Sequence, residues 1–138
     1  MKYLMLTLLS VSVALWGSAQ SLQRDNLLGL HPIEVELKPG VTMEEFKTFF
    51  TNEVLPEYEK HWIGLKGHLV QSARGTYKDK LAILWVFATE PTRDHYFDEN
   101  GPNQLELEAL DKVKPIEEKL KEHYGSYTIT YQDDWVVQ

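Results

Sequence analysis

The chain contains no cysteine. A bacterial lipoprotein needs a cysteine to carry its lipid, so that class is excluded, and no disulfide can stabilise the domain. The fold must therefore be held by its hydrophobic core, and 138 residues are enough for one core but too few for two domains.

Basic residues are also scarce, with 14 lysines and arginines against 21 acidic residues and a formal net charge of −7. This balance argues against nucleic acids and anionic membrane surfaces as partners, because both attract positive charge. Aromatic residues, in contrast, make up 12% of the chain. Aromatic residues are frequent for a protein of this size, which favours a ligand that is itself partly aromatic.

Several motifs of catalytic and metal sites are missing. No G-x-S-x-G, phosphate-binding glycine loop or helical pair of histidines four residues apart is present. The stretch DENG (98–101) resembles part of a calcium loop, but Tyr96 and Leu107 occupy positions where that loop needs acidic residues. We therefore predict neither a metal nor a cofactor.

The N-terminus has the features of a signal peptide over residues 1–19. Lys2 precedes an apolar run, Leu4 to Trp16, and Gly17-Ser18-Ala19 supplies the small residues of a cleavage site. A membrane anchor is the alternative, but the run is shorter than the ~20 residues that span a bilayer. Cleavage is predicted after Ala19, and cleavage after Gln20 or Ser21 is the alternative. The mature protein is expected in the periplasm or outside the cell, free of the membrane.

The rest of the chain divides into a flexible leader (20–30) and one domain (31–138). Alternation of apolar and polar residues predicts strands, and apolar residues three and four apart predict helices. Thr42 and Glu45 form a capping box, Pro56 should interrupt the helix that follows, and Pro115 should kink the last one. The predicted elements are strand 33–39, helix 42–62, strand 64–75, strand 81–88, helix 89–97, loop 98–103, helix 107–124, strand 126–132 and tail 133–138.

This order, βαββαβ, predicts an α+β, ferredoxin-like fold with a four-stranded antiparallel sheet and helices on one face. The strand from Leu81 to Ala88 is apolar at all eight positions. One of its faces meets the helices, so the other needs a different cover. A second copy of the sheet, related by a two-fold axis, is the simplest cover. The alternative is that the tail, with Trp135, Val136 and Val137, folds back over this face.

The segment from Val41 to Phe97 resembles the dimeric α/β-barrel superfamily, which includes the antibiotic-biosynthesis-monooxygenase-like and stress-responsive barrel families. The matching features are a helix leading into WIGLKG (62–67), a hairpin, an apolar strand ending in WVF (85–87) and a capped helix, TEPTRDHYF (89–97). The likeness is strongest to small exported members of unknown role. It implies a homodimer whose two sheets form a barrel, with a ligand cavity in the lumen or on the helix-facing side of each sheet.

The candidate binding residues are aromatic, imidazole and acidic side chains near the predicted strands. Glu36, His68 and Trp85 form a row on the face away from the helices if the small residues of the third strand pack beneath the helices. A one-residue slip in that strand would instead send Trp85 to the helix side. His61, Trp62 and Tyr96 are further candidates at the rim of a cavity. For each of these residues, simple packing or solvent exposure is the alternative.

Three functions follow from these features. The first is an exported homodimer that binds a small, partly aromatic ligand. The second is a cofactor-free monooxygenase- or isomerase-like enzyme in which His68 or His61 removes a proton from the substrate. The third is a haem-handling protein, since some relatives in the superfamily that the chain resembles bind haem through a histidine.

Overall fold

The structure is a computed structural model that describes residues 21–138. The predicted signal peptide and its cleavage site after Ala19 lie outside the described residues. Within residues 21–138, no helix has both the length and the apolar character needed to cross a membrane.

An antiparallel sheet and helices make up the described chain, which is an α+β fold. The strands are β1 (Leu27–Leu37), β2 (Leu65–Gln71), β3 (Leu81–Phe87), β4 (Phe97–Asp98), β5 (Gly101–Pro102), β6 (Gly125–Ile129) and β7 (Asp134–Val136). The helices are α1 (Met43–Phe49), α2 (Leu55–His61), α3 (Glu90–Asp94) and α4 (Gln104–His123), and a π-helical turn, Phe50–Val54, joins α1 to α2.

The main sheet has five strands, of which four lie in the order β2-β3-β1-β6. The N-terminal part of β1 also pairs with β7, on the edge that its C-terminal part shares with β6. Strands β4 and β5 form a separate small hairpin. The observed sheet is therefore antiparallel, as predicted, and it includes β7, a strand that the sequence pattern did not predict.

The predicted interruption of the first helix takes the form of the π-helical turn before Pro56. The capping box is confirmed, because Thr42 accepts a hydrogen bond from the Glu45 amide and Glu45 accepts one from the Thr42 amide. Further along, the Leu55 amide bonds to the Phe50 carbonyl, five residues back. Proline lacks an amide hydrogen and its ring crowds the preceding turn, so a wider turn at this point relieves the clash.

Several predicted boundaries were wrong. Strand β1 begins at Leu27, so residues 27–30 of the predicted leader belong to the sheet. Helix α3 ends at Asp94 because Phe97 already pairs with Pro102 in the β4–β5 hairpin. Helix α4 begins at Gln104, before the predicted start at Leu107, and remains helical through Pro115.

Strand β3 places its odd-numbered residues against the helices. Leu81 and Ile83 belong to the main core with Phe46, Phe50 and Leu120. Trp85 and Phe87 pack on the helix side as well. Of the two alternatives left open by the sequence, the structure therefore has the one that sends Trp85 to the helix side, since the larger residues, and not the small ones, lie beneath the helices.

A glycine of β2 explains why the indole of Trp85 fits beneath the helices. Gly29 of β1 and Gly67 of β2 are the residues paired with Trp85 on its two sides. A Cβ atom added to Gly67 would lie only 2.7 Å from Cζ3 of Trp85. Because Gly67 carries no side chain, the indole can lie over β2 without displacing the helices.

The opposite side of the sheet, which we call the open face, carries an apolar row. Leu30 and Leu84 are paired across β1 and β3, and Leu30 is 43% exposed. Trp135 of β7 pairs with Leu28 and is 64% exposed. Strand β7 lies beside β1 in the plane of the sheet, so the tail extends the open face and does not cover this row.

Candidate functional site

A cavity of about 390 Å³ lies on the helix-facing side of the sheet. Most of its wall is apolar and aromatic, and side chains from the sheet, from α2 and α4, and from the segments around α3 contribute to it. The aromatic lining residues are Tyr58, Trp62, Trp85, Phe87, Phe97 and Tyr131. A cavity of this size and lining is typical of small-molecule sites, which measure roughly 300–1,000 Å³.

Three of these rings are held against one another. The Tyr58 ring stacks on Trp62 at 5.1 Å between centroids and lies 5.3 Å from the Trp85 ring. The hydroxyl of Tyr58 donates a hydrogen bond to Glu117 at 2.9 Å, which ties α2 to α4. Burial of this hydroxyl, with the nearby Glu117 charge, raises the pKa of Tyr58, so the phenol is neutral. The aromatic wall is therefore pre-formed.

His31 of β1 also lines the cavity and is buried, with 9% of its surface exposed. Neither ring nitrogen has a hydrogen-bond partner, and no other buried side chain in the described part of the chain lacks one. Burial lowers the pKa of His31, and the nearby charge of Asp134 opposes this shift only in part. A buried polar group without a hydrogen-bond partner lowers the stability of a protein by roughly 1–3 kcal/mol. A ligand that formed a hydrogen bond with His31 would regain this free energy.

Gly29 makes room for the imidazole. A Cβ atom at this position would lie 2.9 Å from Nε2 of His31 and 3.2 Å from a carboxylate oxygen of Asp134. His31 lies two residues along β1 from Gly29 and on the same side of the sheet. The missing side chain thus leaves space in which the imidazole and the carboxylate approach each other.

Glu106 lines the cavity from α4, in the helical layer. It is 7% exposed, and its Oε2 accepts a hydrogen bond from the indole nitrogen of Trp62. Burial raises the pKa of Glu106, while the Trp62 hydrogen bond and the Arg93 charge oppose that rise. The cavity therefore has an imidazole with a lowered pKa on the sheet side and a carboxyl group with a raised pKa on the helical side.

Arg93 and Asp134 complete the polar part of the lining. Nε of Arg93 lies 3.7 Å from Oδ2 of Asp134, and its guanidinium lies 4.4 Å above the centre of the Phe97 ring. Asp134 belongs to β7, so the C-terminal strand supplies part of the cavity wall. The ion pair joins this strand to α3.

The structure brings three of the predicted binding residues together. Trp62 and Trp85 both line the cavity, in contact with Tyr58. Tyr96 lies behind Trp62, at 6.3 Å between ring centres, and its hydroxyl accepts a hydrogen bond from the Ile63 amide at 2.8 Å. Tyr96 therefore supports the wall from outside the cavity.

The other three predicted residues lie elsewhere, so the predicted row of Glu36, His68 and Trp85 does not form. Glu36 and His68 are exposed on the open face, whereas Trp85 faces the helices. His68 pairs with Leu84, and Glu36 pairs with Ser126 near the far end of β1. His61 lies at the end of α2, where its Nε2 is 3.1 Å from Glu57.

His31, Glu106 and Asp134 were not predicted as binding residues from the sequence. The alternation of β1 continues back from Ile33 through His31, and this pattern was the available signal. Glu106 occupies the buried stripe of α4 with Ala109, Val113 and Leu120, whereas the predicted stripe included Leu107, which is 49% exposed. A glutamate on a buried stripe gives no hydrophobic signal. The spacing of apolar residues therefore could not show that Glu106, and not Leu107, lies on the buried face of the helix.

Among residues 21–138, no three histidine, aspartate or glutamate side chains are grouped so that they could hold a metal ion. No protein-family model matches the chain, and no curated protein sequence matches it either.

Replacing Glu106 with glutamine should change how stability depends on pH. The raised pKa means that the folded protein holds this proton above pH 4.5, where the unfolded chain releases it. As the pH rises from the unfolded pKa through the folded pKa, the unfolding free energy of the wild type should therefore fall relative to that of E106Q. The total loss should be about 1.4 kcal/mol for each pH unit between these two pKa values. The glutamine oxygen can still accept the Trp62 hydrogen bond.

Chemical unfolding of both proteins at pH 4 and at pH 8 measures this difference. Other titrating groups are common to both proteins and cancel in the comparison. A difference in unfolding free energy that is the same at both pH values would contradict the assignment.

Proposed function

We propose that the protein binds a small, planar, partly aromatic ligand in the cavity between the sheet and the helices. The observation that carries this proposal is the unpartnered, buried His31 within an aromatic wall. A ligand ring can pack against Trp62 and Trp85, while a polar group on the ligand bonds to His31. Burial of the ring supplies affinity, and the single polar contact supplies orientation.

Two leucines on α4 allow a matched test of this proposal. Leu110 lines the cavity, whereas Leu107 does not, and both are partly exposed at 40% and 49%. Leu110→Trp should narrow the cavity and weaken binding at least tenfold, while Leu107→Trp should leave binding unchanged. Thermal shift and tryptophan quenching with 2-naphthol measure the effect.

Native mass spectrometry of protein from its own host tests for a retained ligand. Absence of any aromatic ligand from both experiments would refute the proposal.

The enzymatic alternative needs a different base from the one predicted. His68 and His61 do not line the cavity, whereas His31 does. A cofactor-free enzyme would therefore use His31. Haem handling would also require His31, as the axial ligand, and addition of haemin with measurement of the Soret band tests it separately.

We also propose that each chain has the ferredoxin-like βαββαβ arrangement and that two copies pair through their open faces to form a dimeric α/β barrel. The apolar row of Leu30, Leu84 and Trp135 supports this arrangement, because the tail leaves it uncovered. Lys66 lies toward one end of the open face and Glu34 and Glu36 toward the other, so a two-fold axis can bring opposite charges together. Light scattering at micromolar concentration should give the mass of two chains, and a uniform monomer would contradict the dimer.

Export is the last part of the proposal, and it rests on the sequence of residues 1–19. Protein recovered from its own host should begin at Gln20, or within about two residues of it, because signal peptidase cleaves after small residues. N-terminal sequencing of the periplasmic and extracellular fractions measures this. Intact protein that begins at Met1 in the membrane fraction would contradict export in this form.

A further inference from the structure

We propose that the cavity moves a proton to and from the carbon between the aromatic ring and the carbonyl group of a bound benzylic ketone, with His31 as the base and Glu106 as the acid. This inference rests on the proposed function, because it requires that the cavity bind a small aromatic molecule. The two side chains line the same cavity from opposite layers, His31 from β1 and Glu106 from α4. A planar ligand between these layers can meet both groups.

His31 suits the role of base because its ring is free of other partners. Neither nitrogen is engaged in a hydrogen bond, and burial lowers its pKa, so the ring has a lone pair to offer near neutral pH. The ring meets the edge of Tyr131 at 5.1 Å between centres. Tyr131 is 76% exposed, so its side chain has room to move aside and uncover the imidazole.

Glu106 suits the role of acid. Its Oε2 accepts the indole hydrogen bond of Trp62, and its other oxygen, Oε1, makes no hydrogen bond within residues 21–138. Burial raises the pKa of the group, which shifts the carboxyl toward the protonated form needed to donate. The Trp62 contact also orients the carboxyl group.

The proposed step balances without an oxidant or a cofactor. A nitrogen of His31 takes the proton from the carbon, and the electrons of that C–H bond form a carbon–carbon double bond. The carbonyl π electrons move to the oxygen, which takes the proton from Glu106. The products are an enol, an imidazolium ion and a carboxylate. Return of a proton to the same carbon exchanges its hydrogen, and return to another conjugated carbon moves the double bond.

The two charges formed in this step each have an opposite charge nearby. Asp134 lies near His31 and favours the imidazolium ion, whereas Arg93 lies near Glu106 and favours its carboxylate. In the resting cavity, Asp134 and Arg93 pair with each other at 3.7 Å. The cavity thus already contains the charges that would stabilise the enol-forming state.

The test uses 2-tetralone, a bicyclic benzylic ketone, in deuterated water. Proton NMR measures deuterium entry at the carbon between the ring and the carbonyl, and tryptophan quenching measures binding. The wild type should accelerate exchange about 100-fold over buffer, in the range of general acid–base catalysis. H31Q and E106Q should each lose at least tenfold while still binding the ketone. H68Q, on the open face, should match the wild type.

The outcomes separate this inference from the proposed function. Binding of 2-tetralone without faster exchange overturns the inference and leaves ligand binding intact. An exchange rate in E106Q equal to that of the wild type also overturns the inference. If H31Q fails to fold, E106Q still provides the test, because its glutamine oxygen can keep the Trp62 hydrogen bond. Binding of 2-naphthol but not of 2-tetralone overturns the inference for benzylic ketones. Failure of both probes to bind overturns both proposals.

Discussion

Replacing Ile83 with lysine is expected to abolish folding, whereas replacing its neighbour Leu84 with lysine is expected to leave a folded monomer. Ile83 has no exposed surface and packs in the main core with Phe46 and Phe50. An unpaired buried ammonium group costs several kcal/mol, which is comparable to the ~5–15 kcal/mol that stabilises a typical domain. The Leu84 side chain lies on the open face, where in a single chain a lysine can reach water.

Circular dichroism and light scattering of the two variants measure these effects. The residues are adjacent and the substitution is the same, so each variant is the control for the other. Cooperative unfolding of I83K at the wild-type temperature would contradict the strand phase. A dimer that persists in L84K, at the concentration where the wild type is dimeric, would place the contact elsewhere and refute the proposed interface.

Replacing Trp85 with alanine should lower the unfolding free energy by about 3 kcal/mol and remove aromatic ligand binding. Trp85 packs against both core clusters and forms part of the cavity wall. Because Gly29 and Gly67 flank it, no neighbouring side chain on the sheet can fill the space, and the cost of an aromatic-to-alanine change is high when the site cannot collapse.

Denaturant unfolding followed by far-UV circular dichroism measures this loss, since the substitution alters tryptophan fluorescence. Tyr77→Ala is the matched control: Tyr77 is 59% exposed in the loop between β2 and β3, and its loss should cost less than about 0.5 kcal/mol. A W85A variant as stable as Y77A would show that the indole does not pack as described.

Much of the fold could be predicted because its signals are local. The capping box of Thr42 and Glu45 involves residues three apart, and the cap of α3 by Thr89 depends on Thr92. The alternation of β1 and the uniformly apolar β3 indicated strands of a sheet. Each of these signals reflects the geometry of a single element, so neighbouring residues suffice to define it.

The candidate site could be predicted only in part. Trp62, Trp85 and Tyr96 were chosen for their chemistry, and the structure places all three at or behind the cavity wall. His31 was missed because the predicted first strand begins at Ile33, after Pro32. Glu106 occupies a buried stripe that polar residues usually avoid, so its sequence context pointed to solvent.

The sequence by itself determined the class of the fold, the strands and helices that make it, and the surplus of apolar and aromatic side chains that must be covered. Only the tertiary structure decided on which side of the sheet Trp85 lies, because an all-apolar strand has no alternation to set its phase. That choice depends on Gly67, which is far from Trp85 along the chain and becomes its neighbour only when the strands pair. The same pairing, together with β7 and α4, brings His31, Asp134 and Glu106 to one cavity.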